Sequence, residues 1–423
     1  MSDLRPRSQL RRPVPTRHGR LRRRGPGRTL GTLLATSVGV IAVSALAVGG
    51  VAALDVKNSL NKSVDLLDAQ GNEQKPPTVG AMDGSFNVLL AGSDSGGGNA
   101  AYGERGETLN DVTILLHVSA DHEHATIVSF PRDMFVPIPS CPKEGGGSYS
   151  AMSSQKINTT LTYGGLSCTV LTVEKLTGLD IPYAAMIEFD GVVEMSNAIG
   201  GVPVCVAGDI DDPYTGLVVK KGENTLQGTQ ALAFLRSRHG VGDGSDLGRI
   251  SSQQVFMSSM VRTVRSSGTL GNPLKVYALA KAVARNMTLS SSLNDVGTMA
   301  SMATALKSVN PDNVVFVQYP NHYVSGGVAP TTDAASSLFA ALASDKPIAL
   351  TGTPGIGAES AAAGSGGADA PGAGSGAPEG SSGSDDAGAS ESGTPEAGDA
   401  VSLPSTVTGQ TAGQQTCTKP FSG

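Results

Sequence analysis

DVTILLHVSADHEHATIVSFPRD, residues Asp111–Asp133, decides how this chain is read. Its two apolar runs, Asp111–Ala120 and His124–Phe130, are short and rich in β-branched residues, as strands are. The turn between them predicts a hairpin. Pro131 has no N–H for a strand ladder and stops the second run. Arg132 and Asp133 are thereby left at the strand's C-terminal edge, where sites in α/β sheets collect. His122, Glu123 and His124 superficially resemble metal ligands. Adjacent side chains of a strand point to opposite faces, so the reading is a solvated turn.

Working outward, FNVLLAG (Phe86–Gly92) reads as a buried strand that stops at glycine, and Asp94 follows it. Leu166–Leu176 places apolar residues at helical spacing and ends at Thr-Gly. A strand, a short helix over Gly191–Ile199 and another strand follow. Helices are predicted from about Gln227 to His239, over Ile250–Val264, with Val255, Met260 and Val264 on the apolar side, and over Asp333–Leu342. NVVFVQYP is a late strand. Strands and helices mix without a strict βαβ rhythm, which predicts an α/β or α+β sandwich.

The flanks differ in kind. The 423-residue chain carries a formal charge of −6, but residues 1–28 hold ten arginines against one acid, Asp3. Gly31–Leu54 then runs without a charge, long enough for a membrane-crossing helix of roughly 20 residues. The preceding arginines would hold the N-terminus in the cytoplasm and send the bulk of the chain outside. A cleaved signal peptide is the rival reading, and the length favours an uncleaved anchor. Beside such a span, the basic tail reads as orientation and lipid attraction rather than a nucleic-acid arm. Residues 55–82 read as a stalk and 83–350 as the extracytoplasmic domain. Residues 351–423 read as a Gly/Ala/Ser/Pro-rich disordered tail, in which Cys417 hints at a tie back to the domain. Export makes disulfides plausible among Cys141, Cys168, Cys205 and Cys417. Three pairings are open, and Cys141–Cys168 is favoured because it clips the loop between them.

A second charged element is FLRSRHGVGDGSDLGR, Phe234–Arg249. Arg236 and Arg238 cannot share a face inside an ideal helix, but both reach one site if the helix ends there. Asp246 and Arg249, three apart, share a face of the next helix, and Gln253 lies one turn on. Guanidinium forks match phosphate oxygens, and a helix N-terminus favours anions. The bland alternative is a salt-bridged helical hairpin. Arg132, Asp133 and Lys156 shift the balance towards a pyrophosphate site. Asp94 and Asp111 are candidate oxygen ligands for a hard divalent ion. No Ser-His-Asp arrangement is evident, and His239 reads as a solvated loop histidine.

Taken in order, FNVLLAGSD, the Asn110–Cys141 run, KINTTLTYGG, the Phe189–Val206 run and LQGTQALAFLRSRHGVGDGSDLGR resemble the LytR-CpsA-Psr family of cell-wall glycopolymer transferases, actinobacterial branch. The resemblance implies an α/β fold, a mixed sheet sandwiched by helices, with an N-terminal transmembrane helix and an apolar lipid pocket. It implies a membrane-anchored phosphotransferase that moves a glycopolymer from a polyprenyl-pyrophosphate carrier to peptidoglycan, with no nucleic-acid partner. By match, Arg132, Arg236, Arg238 and Arg249 bind the pyrophosphate, and Asp94 and Asp111 hold Mg2+. Lys156, Asp246 and Gln253 fall on further site positions, and Asp133 or Asp246 either takes the attacking proton or orients an arginine. The lipid slot is expected along Leu161–Leu176, Val192–Ile199 and Val202–Val206. Leu109-Asn110 stands where the family usually has arginine-serine, and Ser252 where it usually has arginine; Arg105 is the candidate substitute. Each lost charge-assisted contact is worth about 1.5–3 kcal/mol. A pyrophosphatase and a non-catalytic binder of envelope polymers are the alternatives.

Overall fold

The computed structural model describes residues 26–61, 63–74, 84–95, 108–143, 145–266, 268–269, 271–361 and 400–422, and of α1 the side chains at 37–39, 43–44 and 47–59. The chain divides into two units, residues 1–54 and 55–423. Helix α1, Pro26–Ser59, fills the described part of the first, and its last turn belongs to the second. It encloses the uncharged run expected to cross a membrane. Among the described residues no helix is long and apolar enough to do so, and the side chains at 31–36, 40–42 and 45–46 of that run lie outside them.

The second unit is built on a seven-stranded mixed sheet. Its order is Met287–Leu289, Tyr183–Ile187, Phe86–Ser93, Asn110–Val118, Ala125–Phe130, Val314–Gln318 and Gly409–Thr411. The expected hairpin is present, with Val118 opposite Ala125 and Thr113 opposite Phe130. Its turn holds His122 at φ 56°, and His124 is buried rather than solvated. The long central strands are covered on both faces, so their sequences run apolar almost without alternation.

Helix α2, Gly165–Thr177, packs on one face with Leu166, Val170 and Val173 in the largest apolar core. It ends at Gly178, whose left-handed φ of 72° closes the helix without a Cβ penalty. Cys168 on this helix bonds Cys141, the favoured pairing. Helix α3, Phe189–Ile199, helix α4, Thr229–Arg236, and helix α5, Asp246–Arg265, follow. The apolar periodicity placed the start of α5 at Ile250. It starts four residues earlier because Ser245 caps it, its hydroxyl accepting from the Gly248 N–H. Helices α6, Pro273–Asn286, and α7, Val296–Ser308, escaped the sequence reading, and α8, Thr332–Ala343, closes the order as expected.

Two boundaries need correction. Residues 55–74 are no free stalk: Leu66 is in the core, Val64 bridges to Ser290, and the Leu67 N–H donates to Ser167. Nor is the whole of 351–423 a low-complexity tail. Residues 362–399, the Gly/Ala-rich part, lie outside the described residues. Beyond them Gly409–Thr411 completes the large sheet, and Thr416–Thr418 enters a four-stranded sheet beside Val202–Val206. A second disulfide, Cys205–Cys417, fixes this return.

Candidate active site

Asp111, Arg132, Asp133, Lys156, Arg238, Asp246 and Arg249 come from four separate stretches of chain and meet in one lattice. Arg132 bonds the Asp111 carboxylate, and its Nε stands 3.6 Å from Asp133. Lys156 donates to Asp133 at 2.8 Å. Arg238 lies 3.7 Å from Asp133 and 3.8 Å from Asp246. Arg249 pairs with Asp246 at 2.6 Å and donates to the Asp111 carbonyl at 2.8 Å. Asp246 also accepts the Arg132 backbone N–H at 3.2 Å.

Local folding explains the convergence. The backbone at 132–134 is tied to the 3-10 turn after Lys156, whose Ile157 and Asn158 N–H groups donate to Met134 and Arg132. Helix α4 stops at Arg236 because Ser237 turns extended and its buried hydroxyl donates to Asp212 at 2.6 Å. Arg236 and Arg238 therefore diverge. Arg238 joins the carboxylates, while the Arg236 guanidinium lies 4.4 Å over the Phe189 ring. The loop between α4 and α5 then needs left-handed turns at Gly242 and Gly244, φ 57° and 78°.

The returning C-terminal segment grips that loop. The Gly242 N–H donates to Lys419, and the Phe421 and Ser422 N–H groups donate to Gly240 and Gly242. Gly357 lies so close to α5 that a Cβ there would clash with the Gly248 carbonyl. Ser252, fully buried, turns its hydroxyl to the Gly248 and Gly357 carbonyls. The chain thus fills with its own backbone the place where the resemblance leads one to expect an arginine. The other departure is also absorbed: Asn110 is buried and donates to Thr113 at 2.7 Å. Arg105, its proposed substitute, lies outside the described residues.

Electrostatically the lattice is short of negative charge. Burial and the neighbouring Arg132 and Arg249 cations push the Arg238 guanidinium below its ordinary value. Burial opposes ionisation of Asp133, yet Lys156, Arg132 and Arg238 hold its carboxyl below the usual range. Nε atoms of Arg132, Arg238 and Arg249 are buried without a hydrogen-bond partner among the described residues. Within the ion-pair lattice four cations, Arg132, Lys156, Arg238 and Arg249, face three carboxylates, Asp111, Asp133 and Asp246, and the unused guanidinium donors suit an oxyanion.

Asp111, Glu188, Arg236, Arg249 and Gln253 also stand on the wall of a mainly apolar cavity of about 170 Å³. Helix α3 supplies Val192, Met195 and Ile199, α4 supplies Leu235, and α5 supplies Phe256 and Met257. Gln253 is buried and donates to the Leu235 carbonyl at 2.9 Å, joining α5 to α4. Val192, Met195, Ser196 and Ile199 line the cavity as expected, but of Val202–Val206 only Val202 does, because Val204 and Val206 fill a separate apolar core. Leu161–Leu176 does not line it, because its apolar side chains fill the main core on another face. Phe189, which carries Arg236, was missed; its aromatic ring just after a strand was the available signal.

Asp94 is buried, and its Oδ1 accepts the Leu109 N–H at 2.8 Å. It follows Ser93, which pairs with Asn110, so Asp94 and Asp111 lie at neighbouring ends of adjacent strands. Magnesium typically takes one or two carboxylates plus substrate phosphates, and this donor set fits that demand in kind. Among the described residues no group of three or more His, Cys, Asp or Glu is placed to hold a metal.

Residues 53–343 match the model of the LytR_cpsA_psr family. The chain is 33% identical over 273 residues to the cell wall biosynthesis protein LcpA of Corynebacterium glutamicum, covering 58% of this chain and 52% of that protein. It therefore spans about half the length of that relative. It is 29% identical over 306 residues to TagT of Bacillus subtilis, a polyisoprenyl-teichoic acid–peptidoglycan teichoic acid transferase, covering 69% and 87% of the two chains. Among solved structures, the LytR-Csp2A-Psr enzyme from Actinomyces oris shares the fold at a TM-score of 0.50 and 22% identity, covering 67% of this chain and 96% of the other. With one family match running through most of the described fold and both walls of the cation-lined cavity, the chain belongs to the LytR_cpsA_psr family.

Proposed function

We propose that this protein is a glycopolymer phosphotransferase that takes its polymer from a polyprenyl-pyrophosphate carrier and attaches it to peptidoglycan. One observation carries the reading: an apolar cavity opens onto a lattice whose cations outnumber its carboxylates and whose guanidiniums keep unspent donors. An amphiphile with an apolar chain and a diphosphate head satisfies both halves at once.

In this reading Arg132, Arg236, Arg238 and Arg249 hold the diphosphate, and the prenyl chain lies between α3, α4 and α5. A hydroxyl oxygen of the acceptor attacks the sugar-linked phosphorus. The new O–P bond forms as the bridging P–O bond breaks. Polyprenyl phosphate leaves, and the hydroxyl proton passes to solvent, because a second pKa of about 6 leaves the departing phosphate largely dianionic at neutral pH. The arginines stabilise charge as it develops on the leaving group. The cations around Asp133 make it a weak base, so its role, like that of Asp246, is to orient Arg132, Arg238 and Arg249. Asp94 and Asp111 would hold magnesium, which supplies charge neutralisation at the phosphates when bound. The arginine-rich N-terminus and uncharged run suit a single-pass anchor that keeps the site near the outer leaflet.

The test is the full chain in detergent with magnesium, a polyprenyl-pyrophosphate-linked sugar and soluble peptidoglycan strands, with products followed by mass spectrometry. A phosphodiester-linked conjugate that disappears in Arg132→Ala supports the reading. Free sugar phosphate alone would make the protein a pyrophosphatase. Donor binding without any product would leave a binder of lipid-linked polymers.

A further inference from the structure

A second cavity, also of about 170 Å³, lies beside the first turn of α5 and takes no part in the chemistry above. Its walls differ from those of the apolar cavity. Gln318, Tyr319, Asn321, His322, Tyr323 and Thr408 bring amides, phenols, an imidazole and a hydroxyl to one surface. The Tyr319 ring is the middle member of an aromatic row, 5.1 Å from Phe130 and 5.6 Å from Phe339. Burial pushes its phenol up to about 12, which keeps it a neutral donor. Tyr323 at the rim is 61% exposed, an aromatic face held in solvent.

The position of this cavity is as informative as its lining. Leu247, on its wall, directly follows Asp246, the carboxylate that binds Arg249 and faces Arg238. Arg249, on the apolar cavity, is two residues further along the same helix. Residues two apart on a helix point roughly 200° from each other. The two cavities therefore flank the first turn of α5 on opposite sides, with the cation lattice at the helix end between them. Tyr323 reaches the same end, its hydroxyl 3.5 Å from Asp243, which in turn accepts from Ser245 at the helix cap. Part of the wall, Ile356 and Thr406–Thr408, comes from beyond residue 343, outside the family match.

We propose that this cavity is the acceptor subsite and takes a sugar ring of a peptidoglycan glycan strand, presenting its hydroxyl to the phosphate over the N-terminal end of α5. Exposed aromatic faces with flanking amide and hydroxyl groups suit a pyranose, whose C–H face is apolar and whose edge is polar. A lipid chain would find too many polar groups here, and among the described residues no lysine or arginine lines it to hold a diphosphate. The proposal rests on the phosphotransferase reading for the identity of its ligand.

The experiment uses the full chain in detergent and Tyr323→Ala, a change at an exposed ring that leaves the core untouched. Binding of soluble, uncrosslinked peptidoglycan strands is titrated by isothermal calorimetry, and transfer from a polyprenyl-pyrophosphate-linked sugar is followed in parallel. The substitution is expected to weaken strand binding about tenfold and to raise the KM for strands about tenfold more than the KM for donor. Asn321→Ala should weaken strand binding as well. Equal strand affinity for wild type and both variants overturns the proposal. Tyr323-dependent strand binding by a wild-type protein that transfers nothing would sustain the subsite and sink the transferase reading instead.

Discussion

Replacing Asp246 with asparagine separates a structural from an anion-binding role for the lattice. Asp246 and Arg249 are 9% and 5% exposed and 2.6 Å apart, and Asp246 also faces Arg238 and accepts the Arg132 backbone N–H. Removing one partner of a buried pair costs about 3–5 kcal/mol because the other charge stays buried. Asparagine keeps the shape and part of the hydrogen bonding, so a loss of about 3 kcal/mol is expected in the free protein. The variant then carries one more uncompensated positive charge. At about 6 Å and an effective dielectric of about 20, that charge attracts an anion by about 2.8 kcal/mol before salt screening. Inorganic pyrophosphate should therefore stabilise Asp246→Asn more than wild type and close most of the gap between them. The assay is urea unfolding of both proteins with and without saturating pyrophosphate, at fixed ionic strength. A gap that is the same in both conditions would refute the reasoning, since the lattice would then be a structural ion-pair network with no appetite for phosphate.

Other outcomes follow from the same geometry. Met257→Trp, which fills the apolar cavity from α5, should raise the KM for long-chain prenyl donors more than for short-chain ones; equal effects on both would place the lipid elsewhere. Cys205→Ala/Cys417→Ala opens a loop spanning 212 residues, worth up to about 5 kcal/mol by chain entropy, against about 3.5 kcal/mol for the 27-residue span of Cys141–Cys168. Paired denaturant midpoints test that order, and the first variant should also lose turnover below its midpoint because Lys419–Ser422 brace the Gly240–Gly244 loop. His117 is buried on Asn110–Val118, and burial pushes its imidazole below the ordinary value against the pull of Asp345. The unfolded chain thus binds this proton first. Its contribution to stability is complete above about pH 6.5 and is lost as pH falls towards the lowered folded value. In His117→Gln the dependence of the urea midpoint on pH should flatten across that window.

Local rules carried much of this molecule. The hairpin of Asp111–Phe130, helices α2, α3 and α8, and the charged pair after Pro131 were legible because hydrophobic period, β-branching and glycine or proline stops act over a few residues. The start of α5 was legible in principle from Ser245 and Asp246, but the first apolar residue drew attention to Ile250. Helices α6 and α7 lie where apolar periodicity is diluted by small and polar residues, and tertiary packing defines them: α6 lies against α3, and α7 puts Met302 and Ala305 into a core shared with the sheet. The residue types of the cation lattice were readable, and so was the family they resemble. Their pairing was not: Lys156 with Asp133, Arg249 with Asp246 and Arg132 with Asp111 join segments far apart in the chain.

The sequence by itself determined the α/β class, the apolar strands, the cations and carboxylates available for phosphate chemistry, and the change of composition after Gly352. Only the tertiary structure decided that Arg236 turns to the apolar cavity while Arg238 turns to the carboxylates. Only there do Gly409–Thr418 return into two sheets to brace the active-site loop, and Gly357 take the space beside Ser252. The physical reason is range. Propensity and periodicity are written in neighbouring residues, whereas pairing, burial and close backbone approach depend on which distant segments the sheet order brings together.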